Sequence, residues 1–148
     1  IRQSTSDHGW NIAAHREFLN DIIGRFKAAG LRVSIFVDPD PSSADRAKTV
    51  GADRIEIYTG PYGGAFKEPV RKKEFDNVVA TGMTAKKAGI GLNAGHDLTL
   101  DNLPPLVEAL PHLEEVSIGH CIISDALTFG MADAVRRYRQ ACGDPVST

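Results

Sequence analysis

The sequence predicts an α/β protein with a parallel sheet, and three observations carry that prediction. Short β-branched runs alternate with longer amphipathic stretches from about residue 11 to residue 141. Four of the helical stretches end on a glycine, at Gly30, Gly51, Gly89 and Gly143, where a left-handed residue stops a helix at little cost. Three strand-like runs also end in residues able to do chemistry. Ile55-Glu56-Ile57 holds a carboxylate inside an apolar run, Gly95-His96 follows the run at Ile90, and Gly119-His120 follows Val116-Ser117-Ile118.

Taken in order, residues 1–9 are polar and read as a loop. A helix is expected from about Asn11 to Ala29, with Ile12, Phe18, Leu19, Ile22, Ile23 and Phe26 on one stripe. Leu31 to Val37 reads as a strand, closed by Asp38, Pro39, Asp40 and Pro41. Ser42 or Ser43 is placed to cap a second helix through Val50, and Arg54 to Tyr58 is the next strand. Thr59 to Ala65, with three glycines and a proline, reads as a flexible loop of the kind that carries function. A third helix follows from Glu68 to Ala88, then a strand from Ile90 to Asn93. Thr99 and Asn102 can cap a short helix starting near Leu103, whose first turn suits Pro104 and Pro105. Glu115 to Ile118 is the fourth strand, and Ser124 or Asp125 opens a last helix running to about Ala141.

Composition narrows the function. At 148 residues and 42% hydrophobic, the chain can bury the core of one domain, and residues 1–148 read as a single unit without a composition break. A net charge of −2 and a pI near 6.2 offer no footprint for nucleic acid. The one cluster of arginines (Arg136, Arg137, Arg139) reads as a solvated helix face. Cys121 and Cys142 lack metal-type spacing and read as reduced thiols of a cytoplasmic protein. No signal peptide and no apolar run of membrane-spanning length is recognised, so no membrane partner is expected. No histidine has a metal partner at a recognisable spacing, and His8, His15 and His112 read as solvent-facing. The chain begins on isoleucine within a polar stretch, as a mid-protein start or a processed chain would.

Side chains alternate along a strand, so Glu56 faces away from Ile55 and Ile57. In a barrel the isoleucines would meet the helices, and Glu56 would point inward with a raised pKa or a cationic partner. It serves either catalysis or a buried ion pair. His96 is a proton-transfer candidate at a strand end; the alternative is a histidine that only hydrogen-bonds its loop. Gly119-His120 before a helix start is a phosphate seat, since backbone N–H groups and the helix N-terminus would face the anion, or else a tight turn with a surface histidine. Asp38 fits turn chemistry as well as catalysis.

Strict alternation means parallel strands with right-handed crossovers, as in an open doubly wound sheet or part of a TIM (β/α)8 barrel. The nucleotide-binding Gly-x-Gly-x-x-Gly and phosphate P-loop motifs are absent, and polar residues at successive strand ends favour the barrel. A whole barrel needs about 200 residues or more, so the four βα units and the helix before them are about half of one.

The runs Arg32-Val-Ser-Ile-Phe-Val-Asp38, Ile55-Glu-Ile-Tyr-Thr-Gly60, Leu92-Asn-Ala-Gly-His-Asp-Leu98 and Val116-Ser-Ile-Gly-His-Cys-Ile-Ile123 resemble the pyridoxine 5′-phosphate synthase family, in order and spacing, along nearly the whole chain. The resemblance covers the second half of that family's barrel and so implies that this chain holds about the last four βα units and the preceding helix of a TIM (β/α)8 barrel. It implies condensation of 1-deoxy-D-xylulose 5-phosphate with 3-amino-2-oxopropyl phosphate in vitamin B6 biosynthesis, releasing phosphate and water, without metal or organic cofactor. Under it, Glu56 matches a transition-state-stabilising glutamate and His96 a proton-donating histidine. Gly119 and His120 match the pair that holds the aminoketone phosphate, and Thr5 matches a threonine contacting the deoxyxylulose phosphate. Asp97 stands where some members have a glycine at the aminoketone phosphate, so its carboxylate must turn away and leave the backbone N–H. The family assembles into octamers, which implies a homo-oligomer. The family's Asn-x-Asp-His motif, catalytic histidine-arginine pair and glutamate base do not occur in this chain, so a longer natural protein is expected. Two other readings remain: another phosphate-binding barrel isomerase or lyase, although no strand-end lysine marks an aldolase, and a non-catalytic half-barrel that binds phosphate or self-assembles.

Overall fold

The computed structural model describes residues 7–144. Four strands, β1 (Ser34–Val37), β2 (Arg54–Tyr58), β3 (Gly91–Gly95) and β4 (Glu115–Ser117), form one sheet in that order, every pair parallel. Order along the sheet equals order along the chain. A doubly wound sheet reverses direction at a switch point, and this sheet has no reversal. The observed α/β architecture is therefore the singly wound arrangement, consistent with consecutive units of a (β/α)8 barrel.

Seven helices accompany the sheet among the described residues: α1 (Arg16–Ala28), α2 (Ser42–Thr49), α3 (Gly60–Gly63), α4 (Val70–Ala88), α5 (Leu103–Ala109), α6 (His120–Phe129) and α7 (Met131–Ala141). The core lies on one face of the sheet. Ile35, Val37, Ile55, Ile57, Leu92 and Ala94 point there and are buried with Leu19, Ile23, Val78, Ala85, Leu103 and Leu106 of the helices. Ile57 is 0% exposed. Ile57→Ala should cost about 2–5 kcal/mol of stability, read as a lower urea midpoint, because a packed site collapses only partly around a lost side chain.

The opposite face of the sheet is polar and layered by register. Phe36, Glu56, Asn93 and Glu115 stand in one layer, with Tyr58, Gly95 and Ser117 in the layer above. Arg54, one layer below Glu56, pairs with Glu114 at 2.5 Å and Glu115 at 3.5 Å and donates to Asn93 Oδ1 at 3.0 Å. Asn93 in turn donates to Glu115 at 2.9 Å, and Arg32 pairs with Glu115 at 2.8 Å. The ion-pair cluster of this face belongs to Arg54. Glu56 has no hydrogen bond or ion pair among the described residues.

Several local expectations need correction. Helix α1 starts at Arg16, because Asn11 accepts from the Ala14 N–H (3.1 Å) and holds residues 12–15 in a separate turn. Strand β1 begins at Ser34, since the N–H of Val33 is taken by the Asp53 carboxylate (2.9 Å) instead of a ladder partner. Neither serine caps α2: Asp40 Oδ1 accepts from the Ser42 N–H at 2.9 Å, and Ser42 is already helical. The glycine-rich loop after β2 contains the short helix α3. The last helix is two helices. The first starts at His120, four residues early, and Gly130 at φ +80°, ψ 150° breaks the chain between them. His112 is not solvent-facing: it is half-buried, with Nε2 2.9 Å from the Gly82 carbonyl oxygen. On α1, Leu19 and Ile23 are buried as the stripe requires, but Phe18 and Phe26 are 57% and 44% exposed.

The Thr99–Asn102 cap forms as expected. Thr99 N–H donates to Asn102 Oδ1 (2.7 Å) and Asn102 N–H to Thr99 Oγ1 (3.2 Å) just ahead of α5. Arg136 and Arg137 pair with Asp133 and Arg139 with Asp144, all on exposed surface. No helix among the described residues is long and apolar enough to cross a membrane. No group of three or more His, Cys, Asp or Glu suited to a metal occurs among them either.

Candidate active site

The site is built at the C-terminal ends of the strands, where β2, β3 and β4 hand over to their loops. Glu56 lies mid-strand rather than at the strand end, one layer beneath the rim. It faces away from the helices, as alternation requires, between the fully buried Ile55 and Ile57. Its carboxylate fits above Gly95: a Cβ added there would come within 2.3 Å of Glu56 Oε1 and 3.0 Å of Ser117 Cβ. The glycine at the end of β3 is thus the space into which the carboxylate reaches.

His96 follows at φ +83° and Asp97 at φ +54°. Two consecutive non-glycine residues in the left-handed region are costly and need support from their surroundings. The reversal lifts the His96 imidazole onto two aromatic rings, with centroid distances of 5.1 Å to Phe36 and 5.5 Å to Tyr58. Phe36 and Tyr58 also touch each other at 5.5 Å. His96 is half-buried, and Glu56 does not hydrogen-bond to it. Burial, and next the negative charge of Asp97, push the Tyr58 phenol above its ordinary pKa, so it stays neutral.

A cleft of about 490 Å³ opens beside this histidine, lined by His96, Asp97, Ser117, Ile118, Gly119 and His120, with Leu98 and Cys121 behind. Gly119 is the N-cap of α6, and His120 is its exposed first residue. The first N–H groups of a helix have no intrahelical partner and favour an anion, and no acidic residue stands in the first turn of α6. A Cβ at Gly119 would meet nothing within 4 Å. Its backbone, at φ −109° and ψ −87°, lies outside the regions an L side chain favours, and the open space around it also admits close approach of a ligand. Asp97 is exposed, and its Cβ side leans toward Gly63, where an added Cβ would sit 2.6 Å away. Burial, and then the charge of Asp97, raise the Cys121 thiol pKa, so this cysteine at the cleft is not an activated nucleophile.

The structure therefore brings His96, Asp97, Gly119 and His120 together around one cleft and sets Glu56 just below it. Thr5 lies outside the described residues. Of the described residues that follow it, Gly9-Trp10 runs along the outer edge of β1, with Trp10 N–H donating to the Phe36 carbonyl at 2.9 Å and Gly9 N–H to Asp38 Oδ1 at 2.8 Å. The Asp38 side chain thus holds a segment 29 residues away, which is neither of the two roles expected of it. The sequence reading missed Phe36 and Tyr58. Their signal was parity, because Phe36 stands in register with Glu56 on the neighbouring strand and Tyr58 follows Glu56 by two residues on its own. It also missed Thr59 and Asn102, whose side chains hold the backbone of the turn.

Comparison with known proteins agrees with this geometry. The family model described as pyridoxal phosphate biosynthesis protein PdxJ matches residues 1–144. A protein of Allorhizobium ampelinum named pyridoxine 5′-phosphate synthase is 54% identical over 145 residues, covering 96% of this chain and 58% of its own length. Proteins of the same name from Rhizobium meliloti and Chelativorans sp. are 51% and 52% identical, over 96% and 95% of this chain and 58% of their own. The chain thus spans about 58% of the length of these curated relatives. With a family match from residue 1 to residue 144, the chain belongs to the PdxJ family of pyridoxal phosphate biosynthesis proteins.

Proposed function

We propose that this chain supplies the Glu56–His96 half of a pyridoxine 5′-phosphate synthase site, in a single domain that forms part of a closed (β/α)8 barrel. The substrates are 1-deoxy-D-xylulose 5-phosphate and 3-amino-2-oxopropyl phosphate. The observation that carries the reading is the meeting of an unpaired inward carboxylate, a histidine on a reversed turn and a helix N-terminus at one edge of the sheet.

In this reading the first-turn N–H groups of α6, with Gly119 and His120, hold the aminoketone phosphate, and the Asp97 backbone N–H adds to them. His96 delivers a proton to the oxygen that leaves as water or phosphate, chemistry suited to an imidazole near neutral pH. Glu56 stabilises positive charge developing on an imine nitrogen or on His96. Thr5 contacts the deoxyxylulose phosphate. No metal or organic cofactor takes part, and the working protein is a cytoplasmic homo-oligomer, an octamer as in the family.

The test is formation of pyridoxine 5′-phosphate from the two substrates. It should be run on the chain alone and on the chain joined to the part of the Allorhizobium ampelinum relative outside the match, called here the completed enzyme. Turnover by the completed enzyme and none by the chain alone is expected. Phosphate binding without turnover in both would favour the non-catalytic reading.

Gly119→Val should weaken binding of the aminoketone phosphate to the completed enzyme about 10–100-fold by calorimetry. It displaces the anion from one or two charge-assisted backbone hydrogen bonds. The described residues leave open space at that Cβ, but the backbone there (φ −109°, ψ −87°) suits a branched side chain poorly, so the melting temperature is measured alongside, and unchanged affinity would remove the phosphate seat.

A further inference from the structure

Three consecutive carbonyls of the turn that carries His96 are each held by a buried polar side chain from outside the turn. Thr59 Oγ1 lies 2.5 Å from the Gly95 carbonyl oxygen and 2.6 Å from that of His96, and the Thr59 N–H donates to Gly95 O at 2.8 Å. Asn102 Nδ2 donates to the Asp97 carbonyl at 3.0 Å. Thr59 is 0% exposed and Asn102 is 5% exposed. Asn102 is itself fixed by Thr99, and its carbonyl accepts from the Tyr62 hydroxyl at 2.9 Å. These anchors grip the two residues that sit at positive φ.

We propose that Thr59, with Asn102 in support, is the positioning residue for His96. A left-handed histidine relaxes toward ordinary backbone unless the surroundings over-determine it. Here the Thr59 N–H holds the Gly95 carbonyl, and the single hydroxyl proton of Thr59, between the Gly95 and His96 carbonyls, is the donor available to the His96 carbonyl. The clamp sets the direction in which the imidazole leaves the sheet, against Phe36 and Tyr58. Thr59 acts through His96 and touches no reacting atom. The inference rests on the proton-transfer role given to His96 above.

Its effect should fall on kcat, because a misplaced proton donor of about 1 Å costs on the order of 10²-fold in rate. Gly119, His120 and the first turn of α6 lie on another element, and only the Asp97 N–H of the phosphate seat, on the peptide that carries the His96 carbonyl, would move with the clamp. The experiment compares Thr59→Val, Thr59→Ala and Thr59→Ser. In the completed enzyme, Thr59→Val and Thr59→Ala should lower kcat about 10–10²-fold with KM for the aminoketone phosphate raised no more than a few-fold, and Thr59→Ser should restore most of the rate. In the chain as it stands, NMR of the His96 ring protons should show ring-current shifts from Phe36 and Tyr58. These should collapse toward the values of exposed His8 in Thr59→Val and Thr59→Ala, and persist in Thr59→Ser. Ring shifts unchanged in both Thr59→Val and Thr59→Ala overturn the inference, as does kcat within twofold of the parent. A completed enzyme that makes no pyridoxine 5′-phosphate overturns the functional reading instead, and the ring shifts then still decide whether Thr59 positions His96.

Discussion

His96→Ala in the completed enzyme is expected to lower kcat by about 10²–10⁴-fold, the usual loss when a positioned acid–base group is removed. His96→Asn should do the same, and it is the better control for folding. Asparagine accepts the left-handed region more readily than alanine, and His96 stands at φ +83°. Glu56→Gln keeps the shape and removes the charge. It should also lower kcat, within the same range, because Glu56 has no hydrogen bond or ion pair among the described residues through which the loss could act on stability. The His96→Asn, Glu56→Gln double variant should lose less than the product of the single losses, since both groups serve one transition state. Turnover and melting temperature measured for each variant check all of this together. Near-normal turnover in His96→Asn would end the assignment of proton transfer to this residue.

Gly95→Ala should come close to the Glu56→Gln loss without touching either proposed catalytic group. The added methyl would lie 2.3 Å from Glu56 Oε1, well inside contact distance, and 3.0 Å from Ser117 Cβ. The carboxylate is the far end of a flexible side chain on a half-buried residue, so it swings aside at little cost to folding. Its position over β3 is what changes, and with it the place where it can meet developing charge. A fall in kcat of about 10²-fold is expected, with the melting temperature lowered by only a few degrees. In Glu56→Gln, Gly95→Ala should add little further loss, because the group it displaces has already been disabled. Full additivity of the two would mean that Gly95 matters for some other reason.

The sheet and its direction were legible in the sequence because both depend on local periodicity. Alternation in Ile55-Glu56-Ile57 fixes which face each side chain takes, and the parity holds across the register from Phe36 to Glu115. Element ends were less legible, because side chains from elsewhere satisfied the terminal backbone groups. Asp53 took the Val33 N–H, Asp40 that of Ser42, and Asn11 that of Ala14. Gly130 was read through as part of one helix, since a glycine within a helical pattern does not announce a break until its backbone is seen at φ +80°.

The site divides in the same way. In the sequence itself His96 and the Gly119-His120 pair stand at strand ends and Glu56 stands within a strand, and strand ends gather in space once the sheet is parallel. What only the tertiary structure decided was how they are held. His96 and Asp97 adopt left-handed backbone that neither residue prefers, stabilised by Thr59 from the preceding strand end and Asn102 from the following helix start. Among the described residues Glu56 has no ion pair, and Arg54, on the same face of its own strand, is already held by Glu114, Glu115 and Asn93. Apart from the Asn102–Asp97 bond, which is local, both outcomes depend on contacts across 36 to 61 residues of chain, between groups whose pairing no local pattern specifies, so they exist only after the strands have come together.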